Sequence, residues 1–273
     1  MSLAIFDLTG KVAIVTGASR GIGKAIALGF AQSGADVVVA ARSAVELEKT
    51  AALIQGEGRR ALAIPTDVTQ MSRVSAMLEK TLDVFQKVDI LVNNAGGASN
   101  GSGYVSDLSP EAWLDGIELN LNSLFYCSKI VGAEMVKRKT GNIINISSGM
   151  GFGPFPGASH HAAARAGVIN FTRTLALEWA PFNIRVNSIA PGYIETDLPA
   201  KAWRENPGQR EALIKNVPLG RIGRPEEMAA VAIFLASPAA SFITGETINA
   251  NGGLITSVSP GWFDYCQKMR GTP

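Results

Sequence analysis

Short apolar runs that alternate with longer segments of helical periodicity constrain the fold of this chain most strongly. The runs are mostly apolar on both faces, which is typical of buried parallel strands, and the segments between them repeat apolar residues at helical spacing. Parallel strands joined by crossover helices form an open sheet that helices cover on both sides. The sequence therefore predicts an α/β fold with a doubly wound, seven-stranded parallel sheet. The predicted strands are Val12 to Val15, Val37 to Ala41, Ala61 to Ile64, Ile90 to Val92, Asn142 to Ile146, Arg185 to Ile189 and Thr247 to Asn249.

The 273 residues fit one large α/β domain, because a chain of this size buries a single sizeable core. We find no linker and no internal repeat, so residues 1–273 are predicted to form one domain. The stretch from Ile194 to Asn216 is rich in charged and small residues and contains two prolines, which predicts a lid over the substrate at about 194–216. The tail 254–273 carries three aromatic residues and would either close an apolar pocket of this or a neighbouring subunit or form a surface arm.

Charge and cysteine content exclude several classes of function. Lysine and arginine number 25 against 23 aspartate and glutamate, a net charge of +2, which provides no overall field for nucleic acid or an anionic membrane. The two cysteines form no CxxC pair, so neither a disulfide scaffold nor a metal site is predicted. No segment has the character of a signal peptide or a membrane span. These features predict a cytoplasmic protein that binds a small molecule and neither nucleic acid nor membranes.

A glycine-rich turn follows the first predicted strand and precedes a helix, and it reads Gly17-Ala18-Ser19-Arg20-Gly21-Ile22-Gly23. Glycines permit a tight turn and a close approach of the backbone, and the free N–H groups at a helix N-terminus attract a pyrophosphate. Because a strand precedes the turn and a helix follows it, the turn predicts a dinucleotide-binding Rossmann fold rather than glycine used for geometry alone. The predicted cofactor contacts in this turn are Gly17, Ser19, Arg20, Gly21, Ile22 and Gly23.

The end of the second predicted strand indicates which dinucleotide binds. NAD-selective sites usually carry an acidic residue here for the ribose 2′-hydroxyl, but this strand ends Ala40-Ala41-Arg42. Arg42, together with Arg20, has the charge and the hydrogen-bond donors to bind a 2′-phosphate. The alternative is that both are solvated surface arginines. We therefore predict NADP(H) as the cofactor.

Further short motifs follow one another along almost the whole chain. They are Thr16-Gly17-x-x-x-Gly21-x-Gly23, Asp67-Val68, Asn93-Asn94-Ala95-Gly96, Asn120, Ser147-Ser148, Pro191-Gly192 and Asn251-Gly252-Gly253. In this order they resemble the short-chain dehydrogenase/reductase family. The resemblance implies a homodimer or homotetramer, and it implies cofactor contacts at the adenine, the ribose and the nicotinamide carboxamide. The implied contacts are Asp67 and Val68 at the adenine, Asn94, Ala95 and Gly96 at the ribose, and Pro191, Gly192, Ile194 and Thr196 at the carboxamide.

The same resemblance implies a catalytic tetrad of Asn, Ser, Tyr and Lys, in which the last two are spaced Tyr-x-x-x-Lys on one helix face. Asn120 and Ser148 match it, whereas His161 stands at the tyrosine position and Arg165 at the lysine position. The run from Ala163 to Val168 is similar to the peroxisomal trans-2-enoyl-CoA reductases, and the related 2,4-dienoyl-CoA reductases also lack the tyrosine. The resemblance thus implies an acyl-CoA-type substrate and catalytic roles for Asn120, Ser148, His161 and Arg165.

The substitutions at 161 and 165 change the chemistry that the site can support. Ketone reduction produces a basic alkoxide that needs a proton from a well-placed acid. We expect His161 to be mostly neutral at neutral pH, because the like charge of Arg165 and burial both disfavour the imidazolium, and Arg165 does not release its proton. Reduction of a carbon–carbon double bond conjugated to a thioester instead spreads charge into an enolate, which hydrogen bonds can stabilise while water protonates carbon. The predicted donors are Ser148, the His161 N–H and Asn120 through an ordered water, while Arg165 holds the nicotinamide ribose.

The sequence therefore predicts an NADPH-dependent oxidoreductase of fatty acid metabolism that reduces an enoyl thioester, or a similar apolar carbonyl compound. Two alternatives stay open: an alcohol, aldehyde or ketone dehydrogenase with His161 as acid and base, and a nucleotide-binding scaffold without catalysis. A histidine at a helix start is also often a capping or surface residue.

The segments Pro110 to Arg138 and His160 to Trp179 carry apolar residues on more than one face, as helices at a subunit interface do. Further candidates for the missing phenol are Tyr104, Tyr126 and Tyr193.

Overall fold

Seven parallel strands form one sheet in the computed structural model, which describes residues 3–97, 103–155, 157–196 and 207–254. The strands are β1 (Val12–Thr16), β2 (Asp36–Ala41), β3 (Ala61–Pro65), β4 (Ile90–Asn93), β5 (Gly141–Ile146), β6 (Ile184–Pro191) and β7 (Thr247–Ala250). Their order across the sheet is β3-β2-β1-β4-β5-β6-β7. The predicted doubly wound parallel sheet is confirmed, and each predicted strand lies within an observed one.

Helices cover both faces of this sheet. They are α1 (Gly21–Gln32), α2 (Ala44–Gly56), α3 (Met71–Phe85), α4 (Pro110–Ile117), α5 (Ser123–Arg138), α6 (Ser159–Trp179), α7 (Pro207–Lys215) and α8 (Pro225–Ala236). A π-helical segment, Glu118–Asn122, joins α4 to α5. Short 3₁₀ helices occur at Leu3–Phe6, Gly149–Gly151, Ala180–Phe182 and Pro238–Ala240.

Each face of the sheet has its own apolar core, because successive residues of a strand point to opposite sides. From β1, Ala13 and Val15 pack with buried residues of α1, α2 and α8 on one face. Val12 and Ile14 pack with buried residues of α3, α5 and α6 on the other face. Burial on both faces explains why the strands read as continuous apolar runs in the sequence.

The carboxyl ends of the strands meet at one edge of the sheet. The strand order reverses between β1 and β4, and the loops that leave these two strands diverge there. In open α/β sheets, ligands bind in the crevice at this switch point. The glycine turn follows β1, Asn94 follows β4, Ser147 and Ser148 follow β5, and Gly192 follows β6, so the topology brings the predicted motifs to one edge.

Part of the predicted lid and nearly all of the predicted tail lie outside the described residues, at 197–206 and from 255 onward. The lid segment begins at a fixed point, because Ile194 forms a parallel bridge with Gly223, and it includes α7. The functions predicted for 194–216 and 254–273 stay predictions. In the described part of the chain, no helix combines the length and the hydropathy needed to cross a membrane. The same residues contain no group of three or more His, Cys, Asp or Glu side chains that could hold a metal ion.

Candidate active site

The glycine turn after β1 has the backbone geometry that a pyrophosphate site requires. Gly17 and Gly21 have positive φ angles of 66° and 56°, which L side chains rarely adopt. A Cβ at Gly17 would lie 2.7 Å from Asn94 Nδ2, and a Cβ at Gly23 would overlap the Gly17 carbonyl oxygen. The N-cap residue of α1, Arg20, makes no side-chain capping bond, so the N–H groups of the first turn stay open to a ligand. The residues present therefore fit a dinucleotide pyrophosphate.

Thr16, the last residue of β1, fastens the glycine turn to the loop after β4. Its hydroxyl donates to the Val92 carbonyl at 3.1 Å and accepts from the N–H groups of Asn94 at 3.0 Å and Ala95 at 3.1 Å. The Asn94 amide donates to the carbonyls of Thr16 at 2.9 Å and Gly17 at 3.2 Å. The predicted ribose-side residues are thereby held against the turn. Thr16 was not among the predicted contacts; a hydroxyl residue directly before the first glycine is the signal that points to it.

The loop after β6 lies against both the glycine turn and the end of β7. A Cβ at Gly21 would come within 3.0 Å of Thr196 Cγ2, so the predicted carboxamide loop meets the pyrophosphate turn. The Gly192 N–H donates to the Ala250 carbonyl at 3.2 Å, and a Cβ at Gly192 would lie 2.8 Å from Asn251 Cα. The structure therefore brings the three predicted cofactor segments to one crevice: Gly17, Ser19, Gly21, Ile22, Gly23, Asn94, Ala95, Gly96, Pro191, Gly192, Ile194 and Thr196.

The predicted 2′-phosphate arginines, Arg20 and Arg42, are both exposed. Arg42 lies close enough to Asp67 for its charge to act on that carboxylate. Burial of Asp67 raises its pKa, but hydrogen bonds from the Thr69 hydroxyl at 2.7 Å and the Thr69 N–H at 3.1 Å, together with the charge of Arg42, outweigh burial and lower it. Val68 beside it is buried. Arg42, Asp67 and Val68 thus lie on one side of the crevice, as an adenosine pocket requires.

Arg165 lies at the catalytic end of the crevice, on α6, and only 5% of it is exposed. Its Nη1 donates to the Ile146 carbonyl at 2.7 Å, and its Nη2 donates to Asn120 Oδ1 at 2.8 Å. Gly96 leaves the space that the guanidinium fills, since a Cβ there would overlap Nη2. Burial lowers the pKa of Arg165 to about 10, so the group stays protonated at neutral pH. A buried cation bonded to two neutral oxygens leaves a positive potential in the site.

Asn120 uses its full hydrogen-bonding capacity inside the protein. Its Oδ1 accepts from the Gly97 N–H at 3.0 Å as well as from Arg165, and its Nδ2 donates to the carbonyls of Gly97 at 3.1 Å and Gly116 at 2.9 Å. The structure therefore gives Asn120 a different role from the predicted one, because its amide has no donor left for an ordered water. The long, forked arginine side chain reaches the amide directly, so Asn120 positions Arg165.

The two serines after β5 have different surroundings. Ser147 Oγ donates to the Arg165 carbonyl at 3.0 Å, which ties the end of β5 to α6. Ser148 Oγ accepts from the Met150 N–H at 3.2 Å, which leaves its own proton for a ligand. Ser148 also lines a cavity of about 310 Å³, which we take as the candidate substrate site. The apolar walls of this cavity include Phe152, Pro154, Phe155, Tyr193 and Leu254.

His161 is half-buried in the first turn of α6, one turn before Arg165. Burial, followed by electrostatic repulsion from Arg165 and His160, lowers the pKa of its imidazole from 6.5 to about 4, although the Gly97 carbonyl acts in the opposite sense. The imidazole is therefore neutral at neutral pH, as the sequence predicts. The N-cap of α6 is Ala158, so His161 is not the capping residue of this helix.

Buried polar atoms without a hydrogen-bond partner are concentrated at the start of α6. Among the described residues they include Ser159 Oγ, His160 Nδ1, His161 Nδ1 and Arg165 Nε. Each such group costs about 1–3 kcal/mol when it is left unpaired. Their grouping in one place indicates that water or a ligand completes this end of the site.

The three tyrosines considered as replacement phenols lie in different places. Tyr193 lines the Ser148 cavity, and burial raises the pKa of its phenol. Tyr104 is 69% exposed. Tyr126 is on α5, where hydrogen bonding to Glu118 raises the pKa of its phenol. Tyr193 is therefore the candidate that shares a cavity with Ser148 within the described part of the chain.

Comparison with known proteins agrees with this fold. A family profile described as Enoyl-(Acyl carrier protein) reductase matches residues 17–255. A 3-oxoacyl-[acyl-carrier-protein] reductase from Synechocystis sp. is 42% identical over 250 residues, which cover 91% of this chain and 98% of that protein. The chain belongs to the short-chain dehydrogenase/reductase family. It is accordingly an NAD(P)-dependent oxidoreductase that acts on a small molecule.

Two solved structures related to the family share the architecture. A short-chain type dehydrogenase/reductase from Mycobacterium marinum has a TM-score of 0.86 and 38% identity, and the match covers 93% of this chain and 99% of that one. A gluconate 5-dehydrogenase from Burkholderia cenocepacia, solved with NADP and tartrate, has a TM-score of 0.88 and 33% identity, and the match covers 94% and 100%. The NADP in that structure agrees with the cofactor predicted from Arg20 and Arg42.

The comparisons do not bear out the predicted resemblance to the enoyl-CoA reductase branch of the family. The Synechocystis relative is named for the reduction of a 3-oxoacyl group on acyl carrier protein, which is a ketone, whereas the family profile is named for an enoyl group. The carrier in both names is acyl carrier protein and not CoA. The family is therefore settled by sequence similarity, and the choice of reaction depends on the residues of the site.

Proposed function

We propose that this protein is an NADPH-dependent reductase of the carbon–carbon double bond of an enoyl thioester. One observation carries the proposal: position 161 holds a half-buried imidazole one helical turn before the buried Arg165, and burial and that neighbouring charge keep the imidazole neutral at neutral pH. The cofactor is NADP(H), which the exposed Arg20 and Arg42 and the NADP-bound gluconate dehydrogenase support. When bound, NADPH supplies the hydride that adds to the β carbon of the substrate.

Ketone reduction fits this geometry poorly. It requires an acid that gives up a proton to an alkoxide as the hydride arrives. At neutral pH the His161 imidazole is neutral and has only the N–H proton of its neutral ring. Arg165 is fixed by two hydrogen bonds and keeps its proton. The two residues in the tyrosine and lysine positions therefore do not form an acid.

Enolate formation fits it better. The negative charge of an enolate is delocalised over carbon and the thioester oxygen, so fixed donors and a fixed positive charge stabilise it without proton transfer to oxygen. Ser148 has a free O–H in the substrate cavity, and Arg165 supplies the charge at the same end of the crevice. Water then protonates carbon. Asn120 contributes by holding the guanidinium.

The alternative with specific support is the reduction of a 3-oxoacyl thioester with Tyr193 as the acid. Tyr193 lines the cavity of Ser148, and the Synechocystis relative is named for this activity. Against it, burial raises the pKa of the Tyr193 phenol, and no lysine in the described part of the site lowers it. Tyr193→Phe separates the two candidates, because it removes the phenol proton and keeps the ring.

The decisive experiment follows NADPH absorbance with matched four-carbon substrates. Crotonyl and acetoacetyl thioesters are compared on both acyl carrier protein and CoA, with wild type and Tyr193→Phe. We expect turnover of the crotonyl thioester in both proteins, and the better carrier identifies the natural one. Turnover of acetoacetyl thioester alone, abolished by Tyr193→Phe, would establish the alternative, and tight NADPH binding without turnover would indicate a scaffold.

A gain-of-function variant tests the physical reason for the choice. The double substitution His161→Tyr with Arg165→Lys restores the Tyr-x-x-x-Lys spacing of the family on α6. We expect it to raise the ratio of ketone to enoyl reduction, because it adds the missing acid. An unchanged ratio would show that position 161 does not select the reaction.

Assembly into a homodimer or homotetramer remains part of the proposal, as does a cytoplasmic location. Helices α4 to α6 expose large apolar side chains, among them Leu114, Phe125 and Leu177. The Phe125 ring packs edge-on against Tyr126 and Phe171, with centroids 5.8 and 6.3 Å apart, and this aromatic group supports an interface on α5 and α6.

A further inference from the structure

A second cavity, of about 290 Å³, lies on the far side of the loop after β6. Its walls come from that loop, the segment before α8, α8 itself and the end of β7. Most of the side chains around it are apolar. They include Ile194, Val217, Leu219, Met228 and Val231.

Tyr193 is the single residue, among those the structure describes, that lines both this second cavity and the Ser148 cavity. Its backbone is fixed, because its carbonyl accepts from the Gly223 N–H at 2.9 Å and the adjacent Ile194 forms a bridge with Gly223. The N–H of Gly192, the residue before Tyr193, donates to the Ala250 carbonyl. Tyr193 therefore stands at a fixed position between the two cavities.

The charged residues at the second cavity neutralise one another. Arg221 donates to both oxygens of Glu227, at 2.6 and 2.9 Å, and the Arg224 N–H donates to Glu227 at 2.7 Å. A compensated pair at the rim offers no net charge to an ionic head group. The apolar side chains of the lining fit an uncharged aliphatic segment, and two polar residues, Asn249 and Asn251, complete the wall at the end of β7.

We propose that the second cavity is a subsite for the distal aliphatic chain of the substrate, and that Tyr193 is the specificity-determining residue that separates it from the Ser148 cavity. The occupant is part of a molecule whose reactive end lies beside Ser148, because the two cavities adjoin through one residue. The inference rests on the proposed function only in taking the substrate to be an acyl thioester, and it holds for either reduction.

The Tyr193 ring limits the length of the acyl chain that the Ser148 cavity accepts. Each cavity alone is at the lower end of the range of about 300–1,000 Å³ for ligand pockets, and the two joined would lie within it. Burial of one methylene contributes about 0.8 kcal/mol, so each methylene that enters the second cavity strengthens binding about fourfold. Removal of the ring should therefore extend the accepted chain.

The test measures binding of saturated butyryl-, octanoyl- and dodecanoyl-CoA to the full chain saturated with NADPH, by calorimetry. We expect the affinity of the wild type to level off with chain length and that of Tyr193→Ala to keep rising, with a gain of at least tenfold for the dodecanoyl chain. Tyr193→Phe keeps the ring and should match the wild type. Equal chain-length dependence in wild type and Tyr193→Ala would overturn the subsite.

A second variant tests whether the gain in affinity for the long chain comes from the second cavity. Val231→Phe, introduced into Tyr193→Ala, refills the second cavity and should remove the gain for the long chain while NADPH affinity and Tm stay close to those of Tyr193→Ala. If a second copy of the chain covers the cavity instead, the gain is absent and Leu219→Glu at the exposed rim dissociates the assembly, which would also overturn the proposal. Saturated thioesters are not reduced, so these results are independent of which bond the enzyme reduces.

Discussion

The glycine turn after β1 and the start of α6 lie at the same edge of the sheet but are determined in different ways. At the turn, backbone torsions and missing Cβ atoms shape the cofactor site, and Thr16 and Asn94 fasten it. At the start of α6, the chemistry depends on a few side chains, and His161 and Arg165 depart from the pattern of the family. Cofactor binding in such a fold is thus a matter of backbone shape, whereas the reaction depends on a few replaceable side chains.

The largest expected effect belongs to the cofactor end. Gly23→Ala places a Cβ against the Gly17 carbonyl and Asn94, so the turn must open. We expect NADPH affinity to fall on the order of 1,000-fold, because the pyrophosphate N–H groups are displaced. Fluorescence titration with NADPH measures it. Gly56→Ala at the end of α2 is the matched control, since its Cβ would meet open space, and it should change stability by less than about 1 kcal/mol.

The next largest expected effect is on the free energy of unfolding, and it comes from His161 at the catalytic end. The pKa of His161 is about 4 in the folded protein against 6.5 for the free group, so between these values the unfolded chain binds more protons and stability falls as pH is lowered. The contribution is fully present above about pH 6.5, is lost as pH falls through about 4, and amounts to about 3 kcal/mol.

His161→Gln isolates this contribution, because all other titrations are common to both proteins. Urea unfolding at several pH values gives the free energy of unfolding of each. The wild type should lose about 3 kcal/mol relative to the variant between neutral pH and pH of about 4. A difference that does not change with pH would mean that His161 titrates normally in the fold.

Arg165→Met tests the contribution of the positive charge at the catalytic end. It removes the fixed cation, takes the Arg165 donor from the Ile146 carbonyl, and leaves Asn120 Oδ1 with the Gly97 N–H alone. We expect kcat/KM to fall about 100-fold, and the pKa of His161 to rise but to stay below 6.5, because burial persists. NMR titration of the imidazole reads the second effect. Arg165→Lys keeps a charge and should leave the imidazole pKa low.

The smallest effect concerns the choice between dinucleotides. Arg42→Ala removes the guanidinium that we predict to donate to the 2′-phosphate. A hydrogen bond to a charged group contributes about 1.5–3 kcal/mol, so NADPH affinity should fall about 10- to 100-fold. NADH affinity, measured on the same variant, is the internal control and should not change. Equal losses for the two cofactors would show that Arg42 has no role in selectivity.

The two ends also differ in how far they can be predicted from sequence. The strands and the glycine turn follow from local pattern, because burial on both faces and positive φ angles leave few residue types available. The neutral state of His161 follows too, since burial and a neighbouring cation one helical turn away both disfavour the imidazolium. The hydrogen-bond partners of Asn120 do not follow from the sequence. Asn120 donates to Gly97 and Gly116 from the π-helical segment between α4 and α5, and no residue pattern predicts that segment. The second cavity is likewise a product of packing between α8, β7 and the loop after β6.

The contact between Arg165 and its two oxygens limits the substitutions that position 165 tolerates. One side chain fastens the end of β5 and the π-helical segment to α6, because the two arms of its fork reach an acceptor on each. An ammonium in place of the guanidinium keeps the charge but lacks the planar fork that reaches both oxygens. A substitution at position 165 would therefore weaken the contact between the strand end and the helix, so stability and charge cannot be changed independently at this residue.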